Sequence, residues 1–128
     1  MIVVDASALL AIYLSEPERE DCIQRIRNTA VAWMSPVNLW EALVRASVVN
    51  GSSGAAEIEN LVANLDIEIV PVDATIARAA ADAFARFGKR APARLNLGDC
   101  FAYALAKSRG APLLFKGDDF TKTDIVAA

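Results

Sequence analysis

A chain of 128 residues has the length of one domain and should bury roughly two-thirds of the surface its extended form exposes. It has no histidine, and its two cysteines, Cys22 and Cys100, form no close pair, which removes Ser-His-Asp catalysis and the usual Cys/His metal clusters. The net charge of −3 looks unfavourable for a nucleic acid partner, but residues 1–88 carry six basic groups against twelve acids and residues 89–128 carry seven against four, leaving room for a local polyanion-binding surface.

No apolar run approaches the roughly 18 residues of a membrane span, and the N-terminus lacks a basic signal prelude, so the expectation is a soluble, cytoplasmic protein with no membrane partner. "MIVV" reads as a first strand and "SALLAIYL" as a short helix beneath a sheet. In "SEPERE", Ser15 is a plausible cap, with Pro17 in the first turn and Glu18 three residues on, for a helix continuing through Ile23 and Ile26. "AVAWM" is the next strand, and "SP" launches the helix "VNLWEALVRASVV", with Val37, Trp40, Val44 and Val48 as its apolar face. "NGSSG" stops that helix. "AAEIENLVANL" forms another, and "IEIVPV" is a strand whose proline suggests its end or an edge position. Asp73 can cap "ATIARAAADAFARF"; a basic loop, "GKRAPARLN", precedes the helix "LGDCFAYALAKSRG" and a last buried strand, "APLLF". Trp33, Trp40, Phe84, Phe87, Phe101 and Tyr103 read mostly as core, with one or two lining an interface.

Strands alternating with helices argue for an α/β domain, 1–128, with a mainly parallel central sheet covered on both faces. In such folds the carboxyl ends of the strands and the amino ends of the following helices gather at one rim, where ligands bind. Asp5 ends the first strand, Glu41 lies in the first two turns of the third helix, Asp99 in the first turn of a late helix, and Asp118 with Asp119 follow the last strand. Each acid has a bland alternative: Asp5 as helix cap, Asp99 as a favourable first-turn charge, Glu41 paired with Arg45, and the "KGDDF" acids as turn formers. Together they repel. Two unit charges 4 Å apart cost about 4 kcal/mol at an effective dielectric of 20, so a cluster takes up protons or a cation. Without imidazole, Mg²⁺ or Mn²⁺ fits oxygen ligands better than zinc does. Ser7 and Asn38 are secondary candidates, for contacts to a metal water or phosphate or for capping.

Taken in order, "IVVDASAL", "SPVNLWEAL", "LNLGDCFAYALAKSRGAPLLFKGDDF" and "TKTDI" resemble PIN-domain ribonucleases, most closely the VapC-like toxins of type II toxin-antitoxin pairs. The resemblance spans Ile2 to Ile125. It implies a three-layer α/β/α domain and a metal-dependent endoribonuclease using one or two Mg²⁺ or Mn²⁺ ions. Asp5, Glu41, Asp99 and Asp118 match the family's catalytic, metal-holding acids, with Asp119 as the alternative to Asp118. It also implies RNA as substrate, neutralisation by a VapB-like antitoxin that inserts a basic segment at the acidic rim, a homodimer and a larger toxin-antitoxin assembly. Lys89, Arg90, Arg94 and Lys116 are candidates for RNA phosphate contacts, with ordinary solvation as the alternative. A non-catalytic RNA-binding or interaction module on the same fold has no reason to concentrate acids. A metal-dependent phosphatase ranks lower still, because "DASAL" lacks the second aspartate of the DxD pattern.

Overall fold

Short apolar runs alternate with helices throughout the computed structural model, which describes residues 1–128. Helices α1 (Ala6–Tyr13) and α2 (Arg19–Arg27) connect β1 (Ile2–Val4) to β2 (Ala32–Met34), and α3 (Pro36–Asn50) and α4 (Ser52–Asn64) lead on to β3 (Ile67–Ile69). Helices α5 (Ala74–Phe87) and α6 (Leu97–Arg109) precede β4 (Leu113–Leu114). All strand pairs are parallel, in the order β3-β2-β1-β4. The sheet therefore grows from β1 towards β3 and then reverses to place β4 on the other side of β1.

Successive side chains of a strand face opposite sides of the sheet, and β1 divides the protein accordingly. Ile2 and Val4 pack with Leu9, Ile12, Ile26 and Ile58 under α1 to α4, whereas Val3 packs with Ile76, Tyr103 and Leu105 under α5 and α6. This is the expected α/β/α layering. Both sheet edges carry a feature that discourages further pairing. β3 ends just before Pro71, and β4 is covered by the C-terminal tail, where Leu113 N–H donates to Val126 O at 2.8 Å and Ala128 N–H to Leu113 O at 2.9 Å. Asp124 fastens that tail by accepting from Tyr103 Oη at 2.5 Å and Lys107 Nζ at 3.1 Å.

Two local expectations are corrected. Ser15 does not cap α2: it adopts a left-handed φ of 54°, and the helix starts only at Arg19, after Pro17. Residues 14–18 instead form a turn tied to the body through the Arg19 guanidinium on Ile12 O and Lys116 on Glu16. The inward face of α3 is also the less bulky one. Asn38, Ala42 and Ala46 are buried, while Trp40, Val44 and Val48 are 62%, 42% and 76% exposed. Close packing explains the choice, because a Cβ on Gly54 of α4 would run into the backbone of Ala46, so only small side chains fit between these helices.

Candidate active site

The reversal of strand order between β1 and β4 opens a crevice at the carboxyl ends of the strands. A cavity of about 400 Å³ lies there, lined by Asp5, Glu41, Asp99 and Asp119 from four separate segments of the chain. Asp5 leaves β1 and caps α1. Its Oδ2 accepts from Ser7 N at 3.1 Å and Ser7 Oγ at 2.6 Å, so its cap geometry and its place in the site arise from the same bonds. Ser7 Oγ also accepts from Lys116 N at 3.0 Å, linking Asp5 to the loop that carries Asp119.

Asp99 is held by a capping box at the start of α6: its N–H donates to Asn96 Oδ1 at 2.9 Å, and its Oδ2 accepts from Asn96 N at 3.0 Å. Glu41 reaches the same rim from α3 because α6 leaves space for it. A Cβ on Gly98 would fall inside the Glu41 carboxylate. Asn38, fully buried, bridges the elements: Nδ2 donates to Glu41 Oε1 at 2.9 Å and Gly98 O at 3.0 Å and lies 3.5 Å from Asp5 Oδ1. Its own Oδ1 is buried with no partner.

The electrostatics follow from this crowding. Burial, opposed by the Ser7 hydrogen bonds and reinforced by Glu41, lifts Asp5 from 3.8 to about 6. Asp99 rises to about 6, through burial first and then repulsion from Asp5 and Asp119, against the Asn96 bond. Burial also raises Glu41, with Asp99 adding to it and Asn38 opposing it. The donor set is oxygen alone, and the orphaned Asn38 Oδ1 leaves one more polar atom in want of a partner. No three of the carboxylates converge on one ligating point. An all-oxygen set of this kind suits a hard ion that keeps several waters, such as Mg²⁺ or Mn²⁺.

Asp5, Glu41, Asp99, Ser7 and Asn38 thus come together as expected. Of the "KGDDF" pair it is Asp119 that lines the cavity; Asp118, the expected member, is exposed outside it and spends its carbonyl on Thr121 N–H and Oγ. Lys116 lines the cavity but is paired with Glu16 and, at 3.7 Å, Glu18. Lys89 and Arg90 line a different cavity beside Phe84, and Arg94 is exposed in the α5–α6 loop. Arg45 does not pair with Glu41.

Sequence reasoning missed Asn96, Gly98, Arg45 and Glu16 as site residues. Two left a signal: Asn96 stands three residues before Asp99, a capping-box spacing, and a glycine inside a helix costs about 1 kcal/mol against alanine, which marks Gly98 as a place of close approach.

The sequence matches the PIN domain family model over residues 2–126. The chain belongs to the PIN domain family. Among curated relatives, the protein named Ribonuclease VapC from Mycolicibacterium smegmatis is 41% identical over 127 residues, covering 98% of each chain. In structure, this PIN domain is similar to VapC20 of Mycobacterium tuberculosis, a sarcin-ricin loop cleaving toxin, with a TM-score of 0.82 at 17% identity over all of this chain and 98% of that one. A toxin-antitoxin complex from Klebsiella pneumoniae gives 0.77 at 15% identity, over 100% and 97% of the two chains. At such identities the structural likeness establishes the PIN fold itself. No helix is long and apolar enough to cross a membrane.

Proposed function

We propose that this protein is a metal-dependent endoribonuclease toxin neutralised by a cognate VapB-like antitoxin, and that the acid-lined cavity is its catalytic centre. The observation that carries the proposal is the convergence of Asp5, Glu41, Asp99 and Asp119 on one crevice from four segments of the chain. The full-length relative named as a ribonuclease supports RNA as the substrate. Bound Mg²⁺ or Mn²⁺, one ion or two, would offset the mutual repulsion of the carboxylates, neutralise the scissile phosphate and lower the pKa of a water to make it a nucleophile. The chain's own residues hold and aim the acids: Ser7 fixes Asp5, Asn38 spaces Asp5 from Glu41, and the Asn96 box orients Asp99.

An antitoxin offering a basic side chain suits a cavity this acidic. A homodimer is proposed on the exposed apolar stripe Trp40, Val44 and Val48 of α3, which a free monomer would leave in water. Light scattering is expected to give twice the chain mass; a monomer at micromolar concentration removes this part.

The direct test is cleavage of total RNA by the purified chain with Mg²⁺ or Mn²⁺, with the new ends mapped. Cleavage is expected to vanish with chelator and in Asp99→Asn and Asp119→Asn, while Asp118→Asn retains it. Toxicity on expression should be relieved by the antitoxin. A well-folded wild type that cleaves no RNA across divalent ions overturns the proposal.

A further inference from the structure

We propose that Arg45 receives a phosphate of the RNA strand at the mouth of the acidic cavity, an inference that rests on the nuclease reading above. A polyanion approaching this crevice meets five acids, Asp5, Glu16, Glu41, Asp99 and Asp119, against two cations, Lys116 and Arg45. Lys116 is already committed, through Glu16 and Glu18, to holding the α1–α2 turn. Arg45 is exposed and has no carboxylate oxygen within 4.0 Å.

Its freedom has a specific cause. Glu41 and Arg45 stand four residues apart on α3, a spacing that ordinarily forms an ion pair. Here the Glu41 carboxylate is drawn inward by Asn38 Nδ2 at 2.9 Å and into the space left by Gly98, so the guanidinium one turn later keeps all its donors for another partner. A guanidinium fork matches phosphate oxygens in pairs, and its placement beside the acids puts the positive charge where the backbone must enter. The loop cations Lys89 and Arg90 face a separate cavity and do not replace it.

The test uses the Asp99→Asn chain, which is expected to hold RNA without cutting it, and a labelled single-stranded RNA of mixed sequence with Mg²⁺ present. Adding Arg45→Ala is expected to weaken binding about tenfold, as for one charge-assisted contact. It should also flatten the plot of log affinity against log salt, between about 50 and 200 mM, by roughly 0.7 to 1. Arg45→Lys should restore most of the salt slope, since it keeps the charge while losing the fork. The melting temperature of the Asp99→Asn chain and the Mn²⁺ affinity of the chain with Asp99 intact should both be unchanged by Arg45→Ala; a merely structural Arg45 would move those and leave the slope alone. In the cutting-competent chain, Arg45→Ala should raise KM more than it lowers kcat. An unchanged salt slope while the wild type still cleaves RNA overturns this inference alone. Failure of the wild type to cleave and of Asp99→Asn to bind overturns it together with the nuclease reading.

Discussion

Replacing Asp5 by Asn is expected to give a chain that is more stable without metal and nearly inert as a nuclease. Asp5 is 4% exposed, and its carboxyl sits at about 6 in the folded chain against 3.8 ordinarily. Because the folded state binds the proton more tightly than the unfolded one, its contribution to stability is complete below about 3.8 and is lost as pH rises through 6. Above that, the ionised group costs the fold about 3 kcal/mol at most. Asparagine is a good N-cap and carries no charge, so it keeps the start of α1 and removes the penalty.

At pH 7.5 without divalent ions, Asp5→Asn should therefore unfold roughly 1–3 kcal/mol later than wild type in urea, and the gap should close by about pH 4. With Mg²⁺ the order should narrow or reverse, since an ion that binds only the folded wild type adds its own stabilisation. RNA cleavage should fall about 100-fold or more, the scale seen when a group stabilising transition-state charge is lost. A variant less stable than wild type at pH 7.5 without metal, or one with undiminished cleavage, contradicts the role given to Asp5.

Asn38 is the second position where a small change should have a large effect. It is fully buried, and its amide nitrogen is the only neutral donor between Glu41 Oε1 at 2.9 Å and Asp5 Oδ1 at 3.5 Å. Asn38→Asp keeps the shape but turns a donor into a third carboxylate at those distances. Each like-charge contact near 4 Å costs about 4 kcal/mol at an effective dielectric of 20, so the variant should lose about 4 kcal/mol or more at pH 8. The loss should shrink at pH 5, where the added carboxyl is protonated in the fold. Asn38→Ala should cost less, roughly 1–3 kcal/mol, because Glu41 Oε1 and Gly98 O lose the buried amide that joins them, while Gly98 O keeps its place in the α6 ladder. Urea unfolding of the three chains at both pH values measures all of this. An Asn38→Asp chain as stable as wild type at pH 8 would show that the amide does not bridge the acids.

Most of the architecture was legible because it depends on local periodicity. Short apolar runs ending in caps or prolines, separated by helical stripes, require a parallel sheet with two covered faces whatever the details of packing. Ser35, Asp73 and Gly110 mark helix ends in the chain and do so in the structure. Asp5, Glu41 and Asp99 were legible for the same reason: each occupies a strand end or an early helical turn, and topology alone sends those to one rim.

Where the sequence offered two equivalent answers, only the tertiary structure could choose. On α3 the stripes 38-42-46 and 40-44-48 have the same spacing, and apolar bulk favours the second. The close approach of α4 and α6, set by Gly54 and Gly98, selects the first and turns Trp40, Val44 and Val48 outward. In "KGDDF" two adjacent acids differ in nothing but the direction the turn gives them, and the bonds from Thr121 to Asp118 O help set that turn so that Asp119 lines the cavity. The pairing of Lys116 with Glu16, a hundred residues earlier, and the release of Arg45 from Glu41 likewise depend on which elements meet. The chain by itself thus determined the fold class and the placing of Asp5, Glu41 and Asp99 at one rim, through patterns local to each element. Which face packs, which aspartate lines the cavity and which cation stays free were decided by contacts between elements distant in sequence, where small differences in available space outweigh residue type.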